Sequence, residues 1–163
     1  MRAVIQRVTE ATCRVDGQVT GAIRQGLVVL LGVAPSDTIE VAEWMADKIC
    51  RLRVFSDDDG KMRHSVQDVG GSLLVISQFT LYGDIRRGNR PDFKAAAPRE
   101  VAEPLYEHFI FACRQHRVTV ATGVFGAHMD IRLVNSGPVT MQIDSNEVMW
   151  GDSPRISTAQ GHA

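Results

Sequence analysis

The 163-residue sequence predicts a single α/β domain, a mixed or antiparallel sheet with two main helices on one side. Three observations carry this. Short apolar runs rich in β-branched residues, joined by hairpin turn signals, occupy both ends of the chain. Two segments of helical periodicity interrupt them, and no series of βαβ units is evident. The length suits one domain, since domains cluster at about 100–150 residues, and it suffices to bury a core without disulfides or metals.

Residues 2–9 and 11–15 read as strands, and Asp16-Gly17 is a strong hairpin signal leading into a third strand at 18–23. Gln25-Gly26 turns the chain into residues 27–33, whose unbroken apolar run marks a central strand buried on both faces. A helix follows. Ser36 or Asp37 is placed as N-cap, Glu40 completes a capping box from Asp37, and Val41, Trp44, Met45, Ile49 and Leu52 form one apolar stripe ending near Arg53. Residues 56–60, Ser-Asp-Asp-Asp-Gly, are turn chemistry. Residues 73–79 form the next strand, and 83–99 a long polar loop of a length that tends to be functional. The second helix spans about 100–116 on the stripe Val101, Leu105, Phe109 and Ala112, with Pro104 tolerable only in its first turn. Strands at 118–122, 129–134 and 139–143 close the domain, and residues 145–163 read as an appended, flexible extension.

Composition narrows the function classes. At 44% hydrophobic and 23% charged the chain is an ordinary globular protein. It has no apolar run near the about 20 residues that span a bilayer, and its first residues do not resemble a signal peptide, so a cytoplasmic location is expected. Cys13, Cys50 and Cys113 are odd in number and lack CxxC spacing, which argues for buried free thiols over a disulfide framework or zinc site. With 18 basic and 19 acidic residues the net charge is −1, so any RNA contact must use a local basic patch. Arg86, Arg87, Arg90 and Lys94 in the long loop, partly offset by Asp84 and Asp92, are that patch.

P-loop, GxGxxG, HExxH and GxSxG motifs are absent, the five histidines are scattered, and 57–59 lack the ligand alternation of an EF-hand. No metal and no cofactor is expected. Two stretches place polar groups where strands should end: Ser77-Gln78-Phe79-Thr80 and Asn135-Ser136-Gly137-Pro138-Val139-Thr140, the latter a tight turn between two strands. Taken alone, each also reads as ordinary strand-end or turn chemistry.

Across residues 1–144 the sequence resembles the D-aminoacyl-tRNA deacylase family. The resemblance rests on Val4-Ile5-Gln6-Arg7-Val8, on SQFTL at 77–81, on NxGPxT at 135–140, and on Thr122-Gly123-Val124-Phe125-Gly126-Ala127. Departures lie outside the two signatures: Arg63 and His64 after Lys61-Met62, His128 where an acidic residue is common, and a longer tail. The resemblance implies a three-layer β/β/α sandwich that forms a homodimer. It also implies a carboxylic ester hydrolase that cleaves D-aminoacyl-tRNA, and glycyl-tRNA, while sparing L-aminoacyl esters. Its partner is the acceptor end of tRNA, with no membrane and no DNA involved.

On that resemblance Gly137-Pro138 is a chiral selector inserted into the partner subunit's active site, with a cis bond and carbonyls facing the substrate. Asn135 and Thr140 flank it, and Arg7 holds it. Ser77, Gln78, Phe79 and Thr80 line the pocket, with backbone N–H groups around Phe79 receiving the ester carbonyl. Met129 and Phe125 contact the terminal adenine or belong to the core. Thr80 is either a nucleophile or a positioning group; with no His or Lys evident nearby, attack by water assisted by the ribose 2′-OH is favoured. The rivals are a non-catalytic RNA-binding module and a small-substrate esterase built on Thr80.

Overall fold

The computed structural model describes residues 1–149. In chain order its elements are β1 (Arg2–Val15), β2 (Gln18–Ile23), β3 (Gly26–Gly32), α1 (Ile39–Cys50), β4 (Phe55–Ser56), β5 (Met62–His64) and β6 (Ser72–Ser77). A 3₁₀ turn (Phe79–Tyr82), α2 (Arg99–Gln115), β7 (Thr119–Thr122), β8 (Asp130–Asp144) and α3 (Ser145–Val148) follow.

β1 is the spine. One of its edges carries β3 along Arg2–Val8 and β2 along Ala11–Val15, while β8 follows the other edge from Arg2 to Arg14. The two strands expected at 2–9 and 11–15 are therefore one strand, bent where its register against β8 shifts between Gln6 and Glu10. Asp16 and Gly17 both take positive φ, 49° and 77°, as the tight turn between β1 and β2 requires.

Beyond β3 the sheet turns parallel: β6 pairs in parallel with β3, and β7 in parallel with β6. Two parallel crossovers thus exist, through α1 and through α2, so that of the two expected forms, mixed or antiparallel, the sheet is the mixed one. The reason lies in β3 and β6 themselves. Both are continuously apolar, and a strand buried on both faces tolerates parallel neighbours and crossover helices.

The bend in β1 folds β2 back over β6 and β7. Val8, Ala11, Cys13, Ile23, Val28, Leu74 and Ile76 fill the space between these β layers. A larger core lies on the opposite face, where Ile5, Leu27, Leu31 and Leu73 meet Met45 and Ile49 of α1 and Phe109 and Cys113 of α2. The expected β/β/α layering is what these two cores produce, with β4 and β5 added as a small hairpin around the 57–60 turn.

Local expectations fail where tertiary partners compete. The N-cap of α1 is Thr38, without a side-chain cap bond. Asp37 is drawn away: its carboxylate accepts from the Met1 amino group at 2.5 Å and from the Ala34 N–H at 2.7 Å. Pro104 sits beyond the first turn of α2, inside the helix. The carbonyl it leaves without a helical partner belongs to exposed Glu100, where solvent is available. His108 and His116 are half-buried and link α2 to Glu43 (3.0 Å) and Asp47 (3.7 Å) of α1. Of the extension expected at 145–163, residues 150–163 lie outside the described residues; α3 begins it, with buried Ser145 accepting from the Met1 amino group at 2.6 Å. Among the described residues no helix is long and apolar enough to cross a membrane.

Candidate functional site

β6 ends at Ser77, in register with Leu31 of β3, and the Gln78 N–H still reaches the Leu31 carbonyl at 2.7 Å. The chain then closes into the 3₁₀ turn. Phe79 and Thr80 are its first two residues, so the turn itself offers their N–H groups no carbonyl, and among the described residues none takes them. Beside this end of β6 is a cavity of about 300 Å³ lined by Ser77, Gln78, Phe79, Tyr106, Phe125, His128 and Met129, among others. The expected pocket residues Ser77, Gln78 and Phe79 line it, as does Met129; Thr80 does not. The Thr80 hydroxyl instead accepts a short hydrogen bond from the Gln78 amide nitrogen, a donor and not a base.

Several residues of this site escaped the sequence reading. Tyr106 stands on α2 with its hydroxyl donating to the Val75 carbonyl at 2.8 Å, and burial pushes its phenol well above the ordinary range. Its signal was a second apolar row, Ala102, Tyr106 and Ile110, beside the stripe that was read. His128 enters the lining from the segment between β7 and β8. Arg2, on β1, ties the turn down: its Nη1 donates to the Leu81 carbonyl at 3.1 Å, its Nε to Asp144 at 2.7 Å, and its guanidinium lies 4.6 Å from the Tyr82 ring centroid. Arg99 covers the outer face of Phe125 at 5.7 Å and is itself paired with Glu103.

The second motif is no turn between two strands. Gln6 pairs with Thr140 and Val8 with Asn135, so both flanks belong to β8 and 136–139 are looped out between them. The chain does not reverse, because β1 takes the residues on either side; the result is a bulge at the corner where β1 bends. The Gly137-Pro138 peptide is cis, and both residues are exposed. Arg7 grips the bulge. Its Nε donates to the Ser136 carbonyl at 3.1 Å, its Nη2 lies 3.4 Å from the Gly137 carbonyl, and its Nη1 makes a short bond to the Val54 carbonyl. Asn135 closes the base, its side-chain amide donating to Arg7 O and Val139 O at 3.1 Å each. The Thr140 hydroxyl sits 3.5 Å from the Gln6 amide nitrogen.

Within one chain the two motifs stay apart. The bulge lies level with Arg7 and Leu27, and Ser77 level with Leu31 and Ala3. That is four residues along the strands and three strands across, a separation of about 20 Å at ordinary strand spacings. Among the described residues no group of three or more His, Cys, Asp or Glu side chains could hold a metal ion.

The chain thus joins a β/β/α sandwich to a cavity at the end of β6 and to a corner of β8 whose carbonyls Arg7 holds. A family model described as D-Tyr-tRNA(Tyr) deacylase matches residues 4–144. A D-aminoacyl-tRNA deacylase of Thermus aquaticus is 58% identical over 147 residues, covering 90% of this chain and 97% of the relative. The D-aminoacyl-tRNA deacylase of Deinococcus radiodurans is 57% identical over 144 residues, covering 88% and 99%. Among solved structures, one described as c-Myc DNA Unwinding Element Binding Protein aligns with a TM-score of 0.83 and 42% identity, over 89% of this chain and 99% of that one. A probable eukaryotic D-amino acid tRNA deacylase shares the fold at TM-score 0.78 and 16% identity, over 87% and 97%. The chain belongs to the D-Tyr-tRNA(Tyr) deacylase family, and it is accordingly an enzyme, a hydrolase.

Proposed function

We propose that this enzyme cleaves the ester joining a D-amino acid, or glycine, to the terminal adenosine of tRNA, and rejects L-aminoacyl esters. It works in the cytoplasm as a homodimer in which Gly137-Pro138 of each subunit enters the cavity of the other. The observation that carries the reading is the separation of the two motifs: a pocket with free N–H donors, and a stiff pair of carbonyls about 20 Å away in the same chain.

An ester carbonyl placed against the N–H groups of Phe79 and Thr80 develops its negative charge where donors wait unpaired. Aminoacyl esters are activated, so this stabilisation and a positioned water do most of what is needed. The adenine occupies the apolar part of the cavity against Phe125 and Met129. Thr80 is a positioning residue, since its hydroxyl faces an amide donor and not a base. The carbonyls of Gly137-Pro138, on the bulge that Arg7 holds through Ser136, bind the substrate's α-amino group and leave no room for an L side chain. A D side chain points elsewhere, and glycine has none. Neither DNA nor a membrane has a part in this reading.

The test is to follow deacylation of D-tyrosyl-, L-tyrosyl- and glycyl-tRNA. Rapid loss of the D- and glycyl-esters with the L-ester preserved is expected; equal rates for D and L would end the selector reading. Thr80→Ala retains most activity if water is the nucleophile. Loss of kcat in His128→Ala at unchanged KM would instead give the reaction a protein base. Full activity in a monomer would refute the cross-subunit arrangement.

A further inference from the structure

The cavity beside Ser77 accommodates one nucleoside, so the RNA preceding the ester-bearing nucleotide must run over the surface at its mouth. Phe79, whose backbone serves the pocket, turns its ring outward and is 58% exposed. It meets Phe93 edge-on, with ring centroids 5.1 Å apart and planes at 74°. Phe93 closes the base of the long loop after β6, where Asp84 and Asp92 exchange backbone hydrogen bonds of 2.7 and 2.9 Å. The loop's four cations are not equivalent. Arg86 is spent on Asp84 through two nitrogens and Lys94 on Asp92 at 2.9 Å. Arg87 and Arg90 at the tip have no carboxylate partner among the described residues. An aromatic pair of exposed Phe79 and half-buried Phe93, continuous with the catalytic cavity and flanked by two unspent arginines, matches the chemistry of single-stranded RNA: a base to stack, a phosphate on either side.

We propose that the Phe79–Phe93 pair and Arg87 and Arg90 form a second subsite, which stacks and neutralises the unpaired nucleotides immediately preceding the terminal adenosine. This rests on the deacylase reading and adds to it how an acidic-to-neutral protein distinguishes a tRNA end from a free aminoacyl nucleoside. The loop supplies the positive field that the whole chain lacks.

Three D-tyrosyl esters test it: of adenosine alone, of adenosine extended by two unpaired nucleotides, and of full tRNA. In Phe93→Leu, which keeps apolar packing but removes the π face, KM for the two longer esters rises about ten-fold while the adenosine ester is unaffected; Phe93→Trp restores the loss. An Arg87→Ala, Arg90→Ala double variant weakens only the longer esters, and flattens the dependence of log(kcat/KM) on log[salt] by about 1.4. The same variants are titrated with a labelled uncharged RNA hairpin bearing an unpaired 3′ tail. If no ester is cleaved by the wild type but Phe93→Leu still weakens this binding, the subsite stands and the deacylase reading falls. Equal effects on all three esters, no effect on any, or a change in oligomeric state of Phe93→Leu (a second copy covering the pair) would each overturn the subsite.

Discussion

Replacing Arg7 with lysine keeps the charge at the Gly137-Pro138 corner and removes its geometry. The guanidinium uses three different nitrogens for three carbonyls on two segments, Ser136 and Gly137 on the bulge and Val54 beyond α1. One ammonium cannot occupy all three positions. The Gly137 contact at 3.4 Å is long and counts for little. Of the two stronger bonds lysine retains one, and a hydrogen bond from a charged donor is worth about 1.5–3 kcal/mol, so folding stability falls by about 2 kcal/mol. With a urea m-value of about 2 kcal/mol/M that moves the midpoint down by about 1 M. The catalytic signature is different in kind. On the proposed selector reading, a loosened bulge no longer fixes the carbonyls that would exclude an L side chain, and each 1.4 kcal/mol of lost exclusion is about ten-fold in the D:L ratio. Urea denaturation and parallel D- and L-tyrosyl-tRNA deacylation read both effects. A midpoint within about 0.2 M of wild type together with an unchanged D:L ratio would show that Arg7 does not hold the corner.

Three further outcomes follow from the packing and the titrating groups. Gly21→Ala drives a methyl group into the Thr122 carbonyl and to 3.0 Å from Leu74 Cδ1, so it should cost about 1–3 kcal/mol in calorimetry; an unchanged Tm would mean that β2 does not lie so close over β6 and β7. Cys13, Cys50 and Cys113 are all buried, and Cys113 is pushed well above the ordinary thiol range by its hydrogen bond with Cys50 and then by burial. Thiol reagents should therefore label the native protein only as fast as it unfolds, and prompt labelling would contradict this. Burial, first of all, raises the phenols of Tyr82 and Tyr106, the chain's two tyrosines. A raised acid stabilises the fold fully below the unfolded value of about 10 and progressively less as pH climbs above it. The urea midpoint should stay level to about pH 10 and then fall, with phenolate absorbance appearing alongside unfolding; a phenolate step near pH 10 in the folded protein would count against both burials.

What the sequence discloses and what it conceals divide along the line between local and tertiary causes. The hairpin at Asp16-Gly17, the buried run of β3 and the stripe Val41, Met45, Ile49 are local patterns with one good solution each, and the structure adopts it. The register of β8 is not local. Asn135–Thr140 carries the composition of a turn, but whether the chain reverses depends on which strand takes Val134 and Thr140, and β1 takes both sides. Asp37 fails as a cap for a related reason, since the Met1 amino group is a better partner than a helix N–H. At the site, Ser77, Gln78, Phe79 and Met129 could be found from motif and resemblance because they are side chains at a strand end. Tyr106 could not be singled out, because an apolar helix face gives no hint that one ring's hydroxyl points at Val75 O.

On the proposed reading the two motifs divide one task, and β1 explains how they can. Arg2 fixes the end of the Ser77–Leu81 segment through the Leu81 carbonyl, and Arg7, five residues along the same strand and on its opposite face, fixes the bulge through the Ser136 carbonyl. Both anchors are thus parts of one hydrogen-bonded strand paired on both edges, and their spacing cannot change without breaking β1 from β3 or β8. A hinge that carries Gly137-Pro138 to the cavity of its own chain is therefore incompatible with the fold. This rigidity is the strongest support for the two-copy reading. If both motifs act on one ester, the selector must come from another chain, and a two-fold arrangement supplies each cavity with one selector at no further structural expense. It also suits the proposed chemistry, in which exclusion of an L side chain would depend on carbonyls that do not yield. The corner is held by Arg7 and Asn135 within a 15-residue strand, so its backbone is tied on both sides as that of an exposed loop is not.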